Sequence, residues 1–169
     1  MIIIKTILLI SIFSGSLYIG ILISKKYSNR EKELIEIQNS LNMLEAKIKF
    51  TYEPLQDIFK EIAKTLNNNI GEIFEKAQND ISTLGTGQAW NKAIDESNTD
   101  LIEEDKTLLK NLGRLIGKTD IEGQISEINL LKQLIGNQTD KAKREREKNE
   151  KMYKTLGGII GMAIVIIIM

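Results

Sequence analysis

Leu34-Ile35-Glu36-Ile37-Gln38-Asn39-Ser40-Leu41-Asn42-Met43-Leu44-Glu45-Ala46-Lys47-Ile48 sets the fold class. Its residues Leu34, Ile37, Leu41, Leu44 and Ile48 recur at alternating spacings of three and four, which places them on one face of an α-helix. A half-buried strand would alternate every second residue, and no such run competes anywhere in the 169 residues. The chain holds a single Pro, so helices can run long without a breaker. Aromatic residues make up only 5% of it, thin for an all-β sandwich or barrel.

On the C-terminal side, Pro54 interrupts the first helix and, as a first-turn residue, can open the next. That helix is expected to bury Leu55, Ile58, Phe59, Ile62 and Leu66, and to stop at Asn67-Asn68-Asn69. A third face uses Ile70, Ile73, Phe74, Ala77 and Ile81; a turn at Leu84-Gly85-Thr86-Gly87 leads to a short helix with Ala89, Trp90, Ala93 and Ile94 inward. Asp100 and Glu103 read as a capping pair opening a helix with Ile102, Leu109, Leu112 and Ile116 inward, ended by Gly117. Thr119 and Glu122 form a capping box before the last face, Ile121, Ile125, Ile128, Leu131, Ile135 and Ala142. Beyond Ala142 the helix is sustained by Asp140/Arg144, Glu147/Lys151 and Glu150/Lys154 at i, i+4. The fold class is all-α: a bundle of about six helices.

On the N-terminal side the helix continues into an apolar end. Thr6 to Ser24 carries no charge, and as a helix it would span about 28 Å, close to the roughly 30 Å hydrocarbon core of a bilayer. Apolar character persists through Ile23 with no small-x-small site before polar sequence, so an uncleaved anchor is expected rather than a signal peptide. The uncharged C-terminal stretch from Leu156 is shorter; counted from Met152, with Lys154 snorkelling, it reaches about 27 Å. The expected layout is an anchor over residues 1–26, a helical bundle with basic stalks over 27–151, and a second anchor over 152–169. Ser16, Gly20 and Ser24 make a small-residue ridge on the first anchor, and Gly157 and Gly161 a GxxxG pair on the second; such ridges let helices approach closely in lipid.

Lys plus Arg and Asp plus Glu both number 23, yet the neutrality hides three blocks. Residues 25–32 carry four bases against one acid, 141–154 seven against three, and 33–140 carry 11 against 19. Basic collars therefore sit on the inner side of both apolar ends, which the positive-inside rule reads as a cytoplasmic middle. Lys25, Lys26, Arg30, Arg144, Lys151 and Lys154 are the expected contacts to lipid headgroups; without interleaved base-stacking aromatics, no nucleic-acid partner is expected. The densest acidic run is Asp95, Glu96, Asp100, Glu103, Glu104 and Asp105, with no base inside it. Asp105 projects toward the inward stripe, where it is expected to pair with a base from another helix. Glu96 and Glu104, with Glu103, are the outward candidates for meeting a partner. Trp90, the only Trp, reads as a core anchor.

The chain has no Cys and no His. No disulfide framework, thiol nucleophile, Cys/His metal site or Ser-His-Asp triad can be drawn from it. Gly113-Arg114-Leu115-Ile116-Gly117-Lys118-Thr119 looks like a phosphate loop at a glance, but it has three residues between its glycines where the motif needs four, and no strand precedes it. Glu103-Glu104 reads as a solvated helix start. No enzymatic activity, cofactor, metal or small-molecule substrate is expected.

Lys148-Asn149-Glu150-Lys151-Met152-Tyr153-Lys154-Thr155-Leu156-Gly157-Gly158 and the apolar end after it resemble the stage III sporulation protein AB family of endospore-forming bacteria. Leu41-Asn42-Met43-Leu44-Glu45, Tyr52-Glu53-Pro54-Leu55 and Ala89-Trp90 support the likeness. So do Leu112-Gly113 and Ile116-Gly117 with Asp120 and Gln124. Members more often carry an aromatic before the first of these glycines and Leu before the second, which reads as variation in core packing. The resemblance implies a two-pass component of the channel complex joining mother cell to forespore, with its middle in the mother-cell cytoplasm. It implies a fold similar to the cytoplasmic domains of F-type platform proteins of type II secretion and type IV pilus systems. The implied partners are the stage III sporulation ATPase and other membrane proteins of the same complex. Two alternatives stand beside this platform reading: a membrane-tethered scaffold without ATPase contact, and a membrane-bound enzyme.

Overall fold

A computed structural model gives the fold, described for residues 2–66 and 68–168; the side chains of Ile2, Ile3, Lys5 and Thr6 are outside the description. Six helices are present among the described residues: α1 (Ile2–Phe50), α2 (Leu55–Leu66), α3 (Asn69–Leu84), α4 (Thr86–Asp95), α5 (Glu103–Leu112) and α6 (Ile121–Ile168), and no strand. Both apolar ends thus belong to the same helices that run through the bundle. The chain forms two compact units, one of residues 32–140 and one of residues 1–31 with 141–169.

In the first unit the apolar stripe of the deciding stretch faces inward: Leu34, Ile37, Leu41, Leu44 and Ile48 are all buried, while Ile35 between them is exposed. α1 ends where Tyr52 turns into the left-handed region (φ 54°) and Pro54 withholds an N–H. The Pro54 carbonyl then accepts from Asp57 N (2.9 Å) and Ile58 N (3.2 Å), which starts α2. Asn68 caps α3, its Oδ1 accepting from Ile70 N and Gly71 N at 3.0 Å each; Asn67, part of the expected stop, lies outside the described residues. α3 packs against α2 and α4, and α4 against α5. Phe59, Phe74 and Trp90 meet at the centre, with ring centroids 5.0–5.5 Å apart. Trp90 Nε1 donates to the Leu109 carbonyl at 2.8 Å, so the indole is held as well as buried.

Several local expectations shift. Ile102 faces solvent and Leu101 is buried in its place. α5 begins at Glu103, and Asp105, not Glu103, reaches back to accept from Ile102 N at 3.2 Å. Asp105 is fully buried there, at the helix start rather than within the inward stripe alone. α5 also stops at Leu112, five residues before Gly117. Just beyond that end the backbone lies close against α4, where a Cβ on Gly87 would clash with the Gly113 carbonyl oxygen. From Gly113 on it tightens into i→i−3 bonds, Gly113 N to Lys110 O and Arg114 N to Asn111 O, both 3.1 Å. At the start of α6 the capping side chain is Asp120, whose Oδ1 accepts from Gly123 N at 3.0 Å; Thr119 and Glu122 do not form the expected box. Ile121 is exposed, and the buried face of α6 in this unit is Ile128, Leu131 and Ile135.

In the second unit the ends of α1 and α6 run antiparallel, because partners descend along α6 as they ascend along α1. Phe13 lies against Gly161, Ser16 and Gly20 against Gly157, Tyr27 against Tyr153, and Arg30 against Glu145.

Candidate functional site

The paired helix ends are held by a seam of small residues. Ser16 Oγ donates to the Gly157 carbonyl at 2.7 Å, a hydrogen bond that crosses between helices. A Cβ on Gly20 would lie 2.7 Å from the Tyr153 carbonyl oxygen, and one on Gly157 would lie 2.9 Å from the Ser16 oxygen and 3.1 Å from Gly20 Cα. These are backbone atoms, so the two chains touch main chain to main chain. At Gly161 the neighbours are the Phe13 ring (3.0 Å) and Ser16 Cβ (3.1 Å). Ser24 is buried but its hydroxyl turns back to Ile21 O (2.8 Å), so it contributes by being small. Ile7, Leu8, Ile10, Ile159 and Ile166 point outward and are exposed. Both helices are long and apolar enough to cross a membrane, and an apolar outer surface of this kind belongs in lipid.

Next to the seam, Tyr27 and Tyr153 stack with centroids 5.8 Å apart and planes 15° from parallel. Arg30 Nη1 then meets Glu145 Oε2 at 2.7 Å, and Arg146 Nε meets Glu31 Oε2 at 3.0 Å. Arg30 is only 4% exposed. The sequence reading expects it to reach headgroups; the structure turns it instead toward α6, into a part-buried ion pair with Glu145, because an unpaired guanidinium could not stay buried there. Lys25, Lys26, Arg144, Lys151 and Lys154 are exposed, with Lys154 also bonded to Glu150 at 2.7 Å. Sequence reasoning does not anticipate this pairing: two neighbouring residues on α1 meet two neighbouring residues of opposite charge on α6, and only the pairing of the helices brings them together.

In the 32–140 unit the acidic run is less concentrated in space than in sequence. Lys110 forms an ion pair with Asp95, and Lys76 Nζ donates to the Glu96 carbonyl at 2.8 Å. The Glu96 and Glu103 side chains are exposed; Glu104 is exposed too, but its Oε1 accepts from Gln138 Nε2 at 2.8 Å. Behind this surface lies Glu33, a buried carboxylate that no sequence pattern marked. Its Oε2 accepts from Asp100 N at 2.8 Å and its Oε1 from Asn69 Nδ2 at 3.2 Å, which ties the strap before α5 to α1 and α3. Burial pushes this carboxyl above its ordinary pKa, against the two donors that favour the charged form. Glu45 behaves oppositely: the Lys132 ammonium, 2.7 Å from its Oε2, holds it below the ordinary range.

Seam, ion pairs and bundle all lie within residues 5–169, the span matched by the sequence profile described as stage III sporulation protein AB. The chain belongs to the stage III sporulation protein AB family. The stage III sporulation protein AB of Bacillus subtilis (strain 168) is 28% identical over 155 residues, covering 89% of this chain and 90% of the relative. A solved structure of a stage III sporulation protein AB superposes with a TM-score of 0.66 at 21% identity, covering 71% of this chain and 98% of the other, and so shares the fold. Membership in the stage III sporulation protein AB family gives the protein a role in sporulation, and the family's description names no enzymatic activity. The two long apolar helices associate that role with a membrane.

Proposed function

We propose that the protein is a two-pass, non-enzymatic component of the channel complex joining mother cell and forespore, serving as the platform for a cytoplasmic secretion-type ATPase. The observation that carries the reading is the division of labour within one chain: a main-chain-close helix pair suited to lipid, and a well-packed helical body that exposes Glu96 and Glu103. A body of this kind acts by contact, since the chain lacks the His and Cys on which most side-chain catalysis rests. The basic collars favour a cytoplasmic body, which is where an ATPase would meet it. Exposed carboxylates would steer a basic patch on that ATPase, mainly by raising the association rate.

The test is co-purification of the full-length protein, in detergent, with the stage III sporulation ATPase at low and high salt. Binding that weakens with salt and is lost in Glu96→Lys with Glu103→Lys supports the platform; absence of binding at low salt leaves a scaffold without ATPase contact. For orientation, the chain's lack of cysteine lets Asn98→Cys report alone. Protection from an impermeant maleimide in intact cells is the expected result, and labelling reverses the topology.

A further inference from the structure

The body has an apolar groove that neither its own core nor a lipid bilayer accounts for. It runs between α5 and α6, encloses about 340 Å³, and is walled by Leu108, Leu115, Leu130 and Leu134. Leu130 is 51% exposed, and Leu115 and Leu134 are open to solvent as well. Burial of such side chains is favourable, and a contiguous exposed patch on a well-packed domain marks an interaction surface. Arg114 and Glu127 line the groove as well, and their side chains have no ion-pair or hydrogen-bond partner among the described residues.

We propose that this groove is a self-association surface, on which two copies of the protein pack face to face about a two-fold axis. The charges select the occupant. A strongly basic partner would be drawn by Glu127 but repelled by Arg114, and an acidic one the reverse. A second copy satisfies both, because a two-fold operation sets each Arg114 against the other copy's Glu127 and each leucine wall against its equivalent. Interfaces of this kind bury an apolar centre and leave charges at the rim. The groove is small and the body acidic, so the contact is weak in dilute solution. Confinement of both copies by their apolar helices in one membrane raises their effective concentration and makes a modest contact sufficient.

The experiment uses the full-length protein in native membranes and exploits the absence of cysteine. Leu130→Cys should give a cross-linked species of twice the chain mass with a short bis-maleimide, while Asn98→Cys, outside the groove, should not. In the Leu130→Cys background, Arg114→Glu should lower cross-linking at least about tenfold, since like charges would then face each other across the axis. Adding Glu127→Arg should restore it, and helical circular dichroism checks that each variant is folded. Four results overturn the proposal: no cross-link at Leu130, equal cross-linking at Asn98, a cross-link to a protein of another mass, or failure of the charge exchange to restore the product in folded protein.

Discussion

Gly157→Leu should separate the two apolar helix ends, and the expected size follows from what surrounds that glycine. A Cβ there would sit 2.9 Å from the Ser16 carbonyl oxygen and 3.1 Å from Gly20 Cα, whereas comfortable contacts lie near 3.5 Å or beyond, so even Ala demands a shift of about 0.5 Å. Backbone on both sides cannot swing away as a side chain can. A Leu carries the same Cβ clash into this main-chain contact, and the helices must part. Parting forfeits the Ser16–Gly157 hydrogen bond of 2.7 Å, a type of bond averaging about 0.6 kcal/mol in membranes. Overpacking adds about 1–3 kcal/mol. A combined cost of about 1.6–3.6 kcal/mol lowers the ratio of packed to splayed helices roughly fifteen- to four-hundredfold. Gly161→Leu should cost less, about 1 kcal/mol, because its nearest neighbour is the Phe13 ring, which can rotate. Gly15→Leu should cost nothing measurable, since no atom lies within 4 Å of its Cβ position. The assay is the distance distribution between spin labels on Leu8→Cys and Ile166→Cys, in full-length protein reconstituted into bilayers. A broad, longer distribution for Gly157→Leu beside an unchanged one for Gly15→Leu is expected. The same narrow distribution in both would refute the reasoning, and with it the view that the glycines hold the helices together.

Trp90→Phe should lower the urea midpoint by an amount equivalent to about 1–3 kcal/mol, because the Leu109 carbonyl loses the indole N–H that donates to it inside the core; unchanged unfolding followed by circular dichroism would contradict this. Glu33→Gln should change the pH dependence of stability. With its folded pKa raised, Glu33 binds more protons folded than unfolded between its ordinary value and the raised one, so wild-type stability falls as pH rises through that window. The variant should therefore gain on wild type in Tm as pH rises from about 4.5 toward neutrality, and a pH-independent difference would count against it. Arg30→Glu should loosen the helix pair next to the seam, with a loss of about 1–3 kcal/mol once the partial exposure of Glu145 is allowed for. Adding Glu145→Arg should recover part of the loss in thermal unfolding of the full chain, and no recovery would argue that the two side chains do not act as a pair.

The sequence by itself determined the all-α class, the order of the helices and nearly every core residue. Leu34 through Ile48, Ile58 through Ile62 and Ile70 through Ala77 sit where their spacing places them, because an amphipathic helix has one way to bury a stripe. The spacing of Ser16, Gly20, Gly157 and Gly161 was legible in the sequence as well, but not which of them would meet. Only the folded structure shows α5 stopping at Leu112, beside the close approach of Gly113 to Gly87, and Asp120 rather than Thr119 capping α6. It alone turned Arg30 inward, placed Lys110 and Lys76 beside the acidic run, and revealed Glu33 as a buried tie. The groove of Leu115, Leu130 and Leu134 was likewise invisible, because exposure depends on what the other helices leave uncovered. Periodicity is a property of one helix and is written along the chain. Which charge meets which, and which leucine is left without a cover, depends on the distances between helices, and those exist only once the chain has folded.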